Sequence, residues 1–339
     1  MKEELIISGR MNPGIDPYLS IWHWEIPLYL FLGGLAAGLL FFASLFTILG
    51  KEKQMQATVK WGPLLASIAL VIGLFALFLD LKHKMYFWRL YTTVRLQSPM
   101  SWGAWTLMVI TPLSFIWSAS YIKEIIPRWD WKFDFLNKAE AWVIRYRVGF
   151  AWVMIVYAVV LGIYTGILLS AFNARPLWNT SILGPLFLVS GLSTGVAAIL
   201  LMSKDHLERK LLSKVDLLLI GIELFFIVHM FMGFLASSEV QIQAAELFLG
   251  GEFTVSFWVF VIFLLIFPVF QNLTNCSSDV CHHSKICCRN RTLLHVLGQF
   301  YPLWLQWLFL QRPLPLIPYP KYKRLPATIN PTKHLQNTD

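Results

Sequence analysis

The sequence predicts an all-α polytopic membrane protein, a bundle of about eight transmembrane helices with its N-terminus outside. Three observations lead to this prediction: 57% of the 339 residues are hydrophobic, only 14% are charged, and the mean hydropathy is +0.59. A soluble domain carries roughly 25% charged residues, so this chain has too little polar surface to cover a soluble fold. The net charge of +9 therefore indicates basic loops at a membrane surface, and we expect no nucleic-acid partner.

Seven stretches are long and apolar enough to be predicted as spans, because a helix crossing ~30 Å of hydrocarbon needs about 20 mostly apolar residues. They are Pro27–Leu49, Trp61–Leu79, Trp102–Ile122, Val148–Phe172, Asn179–Met202, Val215–Ala236 and Phe253–Leu273. A weaker eighth, Leu293–Leu310, is interrupted by polar residues and a proline. The first apolar run begins after residue 25 and is long enough to span, so we expect a retained helix and not a cleaved signal peptide.

No repeat and no Gly/Ser linker divides the first part of the chain, so residues 1–272 are predicted to form one transmembrane domain. Residues 273–312 form an atypical Cys/His-rich loop and a candidate last helix, and residues 313–339 form a polar tail. The four cysteines lie in that loop at positions Cys276, Cys281, Cys287 and Cys288. Their spacing matches neither zinc nor iron–sulfur ligand patterns, so no metal site is predicted.

The loop charges predict the orientation. The first, third and fifth loops carry thirteen Lys and Arg residues, whereas the N-terminal leader and the second, fourth and sixth loops carry seven. Basic residues favour the cytoplasmic face, so the N-terminus is predicted to be outside. Four of the seven outer cations lie in the second loop: Lys82, Lys84, Arg89 and Arg95.

Three motifs on the predicted outer face carry a family resemblance. The first contains Trp22, His23, Trp24, Tyr29, Gly33, Gly34 and Gly38; the second Ser98, Pro99, Trp102 and Trp105; the third Arg175, Trp178 and Asn179. With these motifs in this order, the sequence resembles the NrfD/PsrC family, the membrane subunits of nitrite, polysulfide and related respiratory reductases.

The resemblance implies a multi-pass subunit of the bacterial cytoplasmic (inner) membrane. Such a subunit carries no haem, metal or flavin and binds a quinone, menaquinone or ubiquinone, near the outer face. It exchanges electrons with a ferredoxin-like iron–sulfur subunit, which in turn serves a molybdopterin catalytic subunit or a multihaem cytochrome c. The resemblance further implies that His23, Tyr29 and Tyr164 contact the quinone.

A buried acid is the most informative single residue. Glu223 falls inside the sixth predicted span, where a carboxylate costs on the order of a few kcal/mol and marks a candidate functional site. Asp216 lies two turns earlier on nearly the same face. Together with Asp80 and His229, Glu223 is predicted to form a proton relay; alternatively, Glu223 is protonated and hydrogen-bonded between helices.

Two further alternatives stay open from the sequence. The glycines Gly33, Gly34 and Gly38 form a small-residue face, which either lets a neighbouring helix approach closely or admits a flat quinone ring. The whole chain is alternatively a secondary transporter or ion-translocating bundle, in which Glu223, Asp80 and His229 bind a coupling ion, or a passive membrane anchor.

Overall fold

The computed structural model describes residues 24–126, 133–171, 177–251, 253–259 and 261–262, and within these ranges it contains helices and loops but no strand. The α-helices are α1 Glu25–Ile48, α2 Gly62–Asp80, α3 Arg89–Thr92, α4 Pro99–Ser120, α5 Ile122–Ile125, α6 Asp134–Arg145, α7 Arg147–Ser170, α8 Leu183–Met202, α9 His206–Leu235, α10 Glu239–Leu249 and α11 Thr254–Val259. A π-helical stretch, Ala57–Trp61, leads into α2, and a 3-10 turn, Lys84–Tyr86, precedes α3.

Five helices in the described ranges are long and apolar enough to cross a membrane. They are α1, the continuous helix Ala57–Asp80, α7, α8 and α9. The third predicted span, Trp102–Ile122, forms helix α4, which is equally long but less apolar. Its hydroxyl side chains explain the difference: Ser101, Thr106, Thr111, Ser114, Ser118 and Ser120.

The observed helices do not all begin and end at the residues predicted for the spans. The sixth span is predicted to begin at Val215, yet α9 begins at His206, because Asp205 caps the helix by accepting a hydrogen bond from the Leu207 N–H at 3.2 Å. The seventh predicted span is described only as far as residue 262, where it contains α11. The eighth, Leu293–Leu310, lies outside the described residues.

Helix α1 occupies the centre of the bundle, where it packs against α2, α7 and α8. Helix α4 bridges α2 and α7, and α9 packs on the outer side of α8. Successive long helices run antiparallel, so α1 and α4 begin at the end where α2 and α7 finish. We call this the Tyr29 end, and we call the end where α8 connects to α9 the Glu208 end.

Glycines bring α1 and α8 into backbone contact. A Cβ placed on Gly38 would lie 3.0 Å from the carbonyl carbon of Gly191 and 3.1 Å from the Cα of Gly195. A Cβ placed on Gly191 would lie 2.8 Å from the carbonyl oxygen of Gly34. Both helices thus contribute two glycines four residues apart, a spacing that allows close packing between membrane helices. Gly33 is different, since nothing lies within 4 Å of its Cβ position.

Hydroxyl groups join α2 to α4. The Ser67 Oγ lies 3.1 Å from the Oγ atoms of both Ser114 and Ser118, and all three residues are buried. Each hydroxyl also lies within hydrogen-bond distance of a backbone carbonyl of its own helix. Interhelical hydrogen bonds of this kind stabilise helix packing in a membrane, because an apolar side chain is buried equally well against lipid and against another helix.

A buried carboxylate fixes the start of α2 at the Glu208 end. The Glu208 oxygens accept hydrogen bonds from the Thr58 N–H at 2.9 Å, the Thr58 hydroxyl at 2.7 Å and the Ser203 hydroxyl at 2.8 Å, with the Ala57 N–H at 3.4 Å. The first amides of a helix have no partner within the helix. Glu208 therefore caps the continuous helix Ala57–Asp80, which contains α2, from a position 150 residues away in the sequence.

Ion pairs surround this same end. Lys60 pairs with Glu124 at 2.7 Å, and Arg147 pairs with Glu52 at 3.1 Å while its guanidinium lies 4.2 Å from the centre of the Tyr121 ring. These contacts tie α2, α5 and the start of α7 to the loops between them. The basic loops of the predicted inner face are therefore partly neutralised by acidic neighbours.

We expect Gly38→Ala to destabilise the bundle by about 1–3 kcal/mol, the usual effect of overpacking, because the added methyl group would meet the α8 backbone. Gly33→Ala is the matched control in the same helix, and its open surroundings predict little change. Heating the detergent-solubilised variants and measuring the surviving monodisperse fraction tests this. Equal melting temperatures for the two variants would contradict the close α1–α8 contact.

We expect Glu208→Ala to cost about 3 kcal/mol, because it leaves buried backbone and hydroxyl donors without their acceptor. Glu124→Gln is the control at the same end: it removes a half-exposed ion pair and should cost at most about 1 kcal/mol. The same thermal assay compares them. A Glu208→Ala protein as stable as Glu124→Gln would show that the carboxylate does not hold α2.

Candidate functional site

Two buried tyrosines meet at the Tyr29 end. Tyr29 lies in the second turn of α1 and Tyr164 near the end of α7, and the two residues are 4% and 7% exposed. The side chains of Tyr29 and Tyr164 lie close enough to interact with each other. The structure therefore brings together two of the three residues for which the family resemblance implies a quinone contact.

Glycines make room for both rings. The Tyr164 ring lies on Gly103 in the second turn of α4, in the space where any side chain would have its Cβ. The Tyr29 ring passes Gly73 of α2, whose Cβ position would be 3.5 Å from the Tyr29 Cδ2. Four helices thus contribute to the pair. The Tyr164 ring fills a gap that only glycine leaves open at position 103, whereas the Tyr29 ring lies in ordinary contact with Gly73.

Aromatic residues of the second loop border the pair. Tyr91 lies close to Tyr29, and burial raises the pKa of the Tyr91 hydroxyl, so this group stays protonated at neutral pH. The Trp105 Nε1–H donates to the Tyr91 carbonyl at 3.3 Å, and the Trp102 Nε1–H donates to the Leu96 carbonyl at 2.9 Å. Both tryptophans of the second motif therefore fasten the second loop to the start of α4.

The first and third motifs are described only in part. His23 and Arg175 lie outside the described residues. Trp178 is half-buried against the hydrophobic core, and the exposed Asn179 accepts a hydrogen bond at its carbonyl from Gln241 Nε2 at 3.2 Å. The third motif thus meets the start of α10, and its predicted relation to the tyrosines stays a prediction.

Acidic residues line one face of α9. Asp216 and Glu223 are 2% and 3% exposed, although both lie in a helix apolar enough to cross a membrane. The Asp216 Oδ1 accepts a hydrogen bond from the Ser193 hydroxyl of α8 at 2.8 Å. Two turns, about 10 Å along the axis, separate the two acids, so a proton would need an intermediate group to pass between them.

The structure separates the three residues predicted to form the relay. Asp80 is the last residue of α2, which packs on α1 and α4, whereas Glu223 lies on α9, which packs on α8 and α10. His229 is exposed, with its ring stacked on Phe225 at 5.9 Å. Six residues along a helix correspond to a rotation of about 240°, so His229 faces away from Glu223. The relay stays a prediction, and it would require groups beyond these three.

Sequence reasoning missed Glu208 and the glycines under the tyrosine rings. Glu208 stands three residues after the cap residue Asp205, the spacing of a local capping box, but its carboxylate caps α2 across the bundle. Nothing in the sequence distinguishes Gly103 from other helical glycines. Among the described residues, no group of three or more His, Cys, Asp or Glu side chains is arranged to hold a metal ion.

Comparison with known proteins gives one consistent result. The profile of the family described as "Polysulphide reductase, NrfD" matches residues 14–284. The protein NrfD of Escherichia coli is 31% identical over 257 residues, which cover 70% of this chain and 80% of the relative. One polysulfide reductase chain from Wolinella succinogenes is 31% identical over 278 residues, which cover 78% and 87%. The NrfD homolog of Haemophilus influenzae is 30% identical over 271 residues, which cover 75% and 83%.

Proposed function

We propose that this chain, which belongs to the NrfD family of polysulphide reductases, is the quinone-reacting membrane subunit of a respiratory oxidoreductase complex. It exchanges electrons between the membrane quinone pool and an iron–sulfur partner subunit. The relative from Wolinella succinogenes is by its name one of the chains of a larger enzyme. The terminal reaction of the present complex accordingly belongs to another subunit, a molybdopterin enzyme or a multihaem cytochrome c.

The neighbouring buried tyrosines Tyr29 and Tyr164 carry this proposal. Each phenol hydroxyl can donate one proton to an acceptor, a role that suits a quinone carbonyl. His23, just before α1 in the sequence, is proposed to complete the site, since an imidazole exchanges protons near neutral pH.

The position of the pair suits a membrane-soluble substrate. It lies within the second turn from the helix ends, so a quinone headgroup can reach the tyrosines while its tail stays among apolar side chains. Oxidation of a quinol releases two electrons and two protons. In this proposal the electrons pass directly from the headgroup to the partner's cluster, which docks at the Tyr29 end.

The membrane topology extends the same proposal. Eight spans with the N-terminus outside place the Tyr29 end on the extracytoplasmic face and the ion-paired Glu208 end in the cytoplasm. Residues 1–272 form the functional membrane domain in this arrangement. Glu223, buried near the middle of α9 with Asp216 on the same face, is proposed to take part in proton transfer that accompanies quinol turnover.

We expect Tyr164→Phe to lower quinol-dependent electron transfer roughly tenfold, because a charge-stabilising hydrogen bond to the reacting carbonyl is lost. Phenylalanine keeps the ring over Gly103, so the complex should assemble normally. Tyr157→Phe, which changes a half-buried tyrosine on the same helix, is the control. Quinol oxidation by purified complex is the measurement, and unchanged turnover with intact assembly would refute the site.

We expect Glu223→Gln to reduce proton release coupled to quinol oxidation while the protein inserts and assembles normally. The substitution keeps the size of the side chain and removes its ability to exchange a proton. Glu239→Gln at the exposed start of α10 is the matched control. Proton release and quinol oxidation are measured in vesicles containing the complex; wild-type values for both in Glu223→Gln would exclude the proton-transfer role.

A further inference from the structure

A cavity of about 420 Å³ opens in the connection between α2 and α4, at the Tyr29 end. We call it the loop pocket. Its lining combines the end of α2, the short helix α3 and the first turn of α4. The residues that line it are Leu81, Lys82, His83, Tyr86, Arg89, Leu90, Thr93, Arg95, Ser98, Met100 and Ser101.

The lining is strongly basic. Lys82, Arg89 and Arg95 contribute three permanent cations, and none of the described residues that line the pocket is acidic. Lys60, Lys123 and Arg147 form ion pairs with acidic residues at the Glu208 end of the bundle. Three cations around one cavity favour an anionic ligand.

Aromatic rings hold one of these cations in place. The Arg89 guanidinium lies 4.9 Å from the centre of the Tyr86 ring and 5.7 Å from that of Trp88. Such cation–π contacts orient the guanidinium and leave its N–H groups in the ring plane able to donate. Thr93, Ser98 and Ser101 add hydroxyl groups to the same wall.

Exposed apolar residues stand next to the pocket-lining residues in the sequence, and we call them the apolar rim. Met85, Val94 and Leu96 are 85%, 64% and 66% exposed, and Met100, half exposed, lines the pocket itself. Tyr86, Trp88 and Trp102 belong to the same segment, which joins the ends of two helices that are predicted to span the membrane. Exposed aromatic residues at this depth are typical of the membrane–water interface.

We propose that the loop pocket binds the phosphate group of an anionic phospholipid. Arginine forks recognise phosphate oxygens through paired hydrogen bonds, and the apolar rim contacts the acyl chains that leave the headgroup. The proposal also explains why the second loop carries four cations, whereas the other predicted outer segments carry three between them. A free phosphate ion would not use the apolar rim, and an acidic protein surface is a separate outcome of the test below.

The site is distinct from the tyrosine pair, although Ser101 lies only two residues before Gly103. A phospholipid held here would lie beside the start of α4 and brace the second loop, whose Tyr91 borders Tyr29. The inference depends on the loop lying at a membrane surface but not on quinone chemistry. Lipid binding and electron transfer can accordingly be tested separately.

The test is native mass spectrometry of the delipidated protein, purified with any subunits that accompany it and titrated with defined lipids. Phosphatidylglycerol should bind more tightly than phosphatidylcholine. Arg89→Gln combined with Arg95→Gln should weaken phosphatidylglycerol binding roughly tenfold, the effect of losing one to two charged hydrogen bonds. Each single substitution, which disturbs the loop less, should weaken it by a smaller factor.

The charge-matched control combines Lys84→Gln with Lys53→Gln. Lys84 belongs to the same segment but does not line the pocket, and Lys53 is exposed at the Glu208 end. Wild-type affinity in this control supports a defined site, whereas an equal loss in both double variants would overturn it.

Two other ligands are separate outcomes. Tight binding of inorganic phosphate, with no preference between the two lipids, would overturn the lipid assignment in favour of a free anion. Unchanged lipid affinity in the arginine variants, accompanied by loss of a co-purifying subunit, would instead assign the pocket to an acidic protein surface.

Discussion

The contact between the backbones of α1 and α8 is the constraint on which the rest of the bundle depends. Gly34 and Gly38 face Gly191 and Gly195, and at these positions no side chain separates the two helices. Because α1 also packs on α2 and α7, its position relative to α8 sets the spacing of the whole core. In lipid, apolar burial gives helices little reason to associate, so the fit of small residues decides which helices touch.

The candidate site also depends on glycine, which here contacts an aromatic ring and not another helix backbone. Gly103 leaves its side-chain space to the Tyr164 ring, and the Tyr29 ring packs on Gly73; the two rings place their hydroxyls, which are costly to bury without a partner. A cluster of hydroxyls between α2 and α4 and the carboxylate of Glu208 follow the same logic. In each of these places, a second helix supplies the group that satisfies the buried polar atom.

Composition and hydropathy predicted the helical class and the centres of the spans, because burial in lipid requires long apolar runs. The family resemblance led to Tyr29 and Tyr164, which the structure places close together. Long-range partners could not be predicted: the role of Glu208 depends on α2 lying beside the α8–α9 connection, and that of Gly103 depends on the rotation of α4. The sequence could have predicted that His229 and Glu223 lie on different sides of α9, because six residues do not make a whole number of helical turns.

The cap on α2 also has a consequence for the order in which the protein is assembled. The amides of Ala57 and Thr58 leave the ribosome about 150 residues before Glu208 exists, and synthesis proceeds from the N-terminus. The glycine contact likewise needs α8, which is synthesised long after α1. The α8–α9 hairpin thus joins the two halves of the sequence at both the glycine contact and the carboxylate.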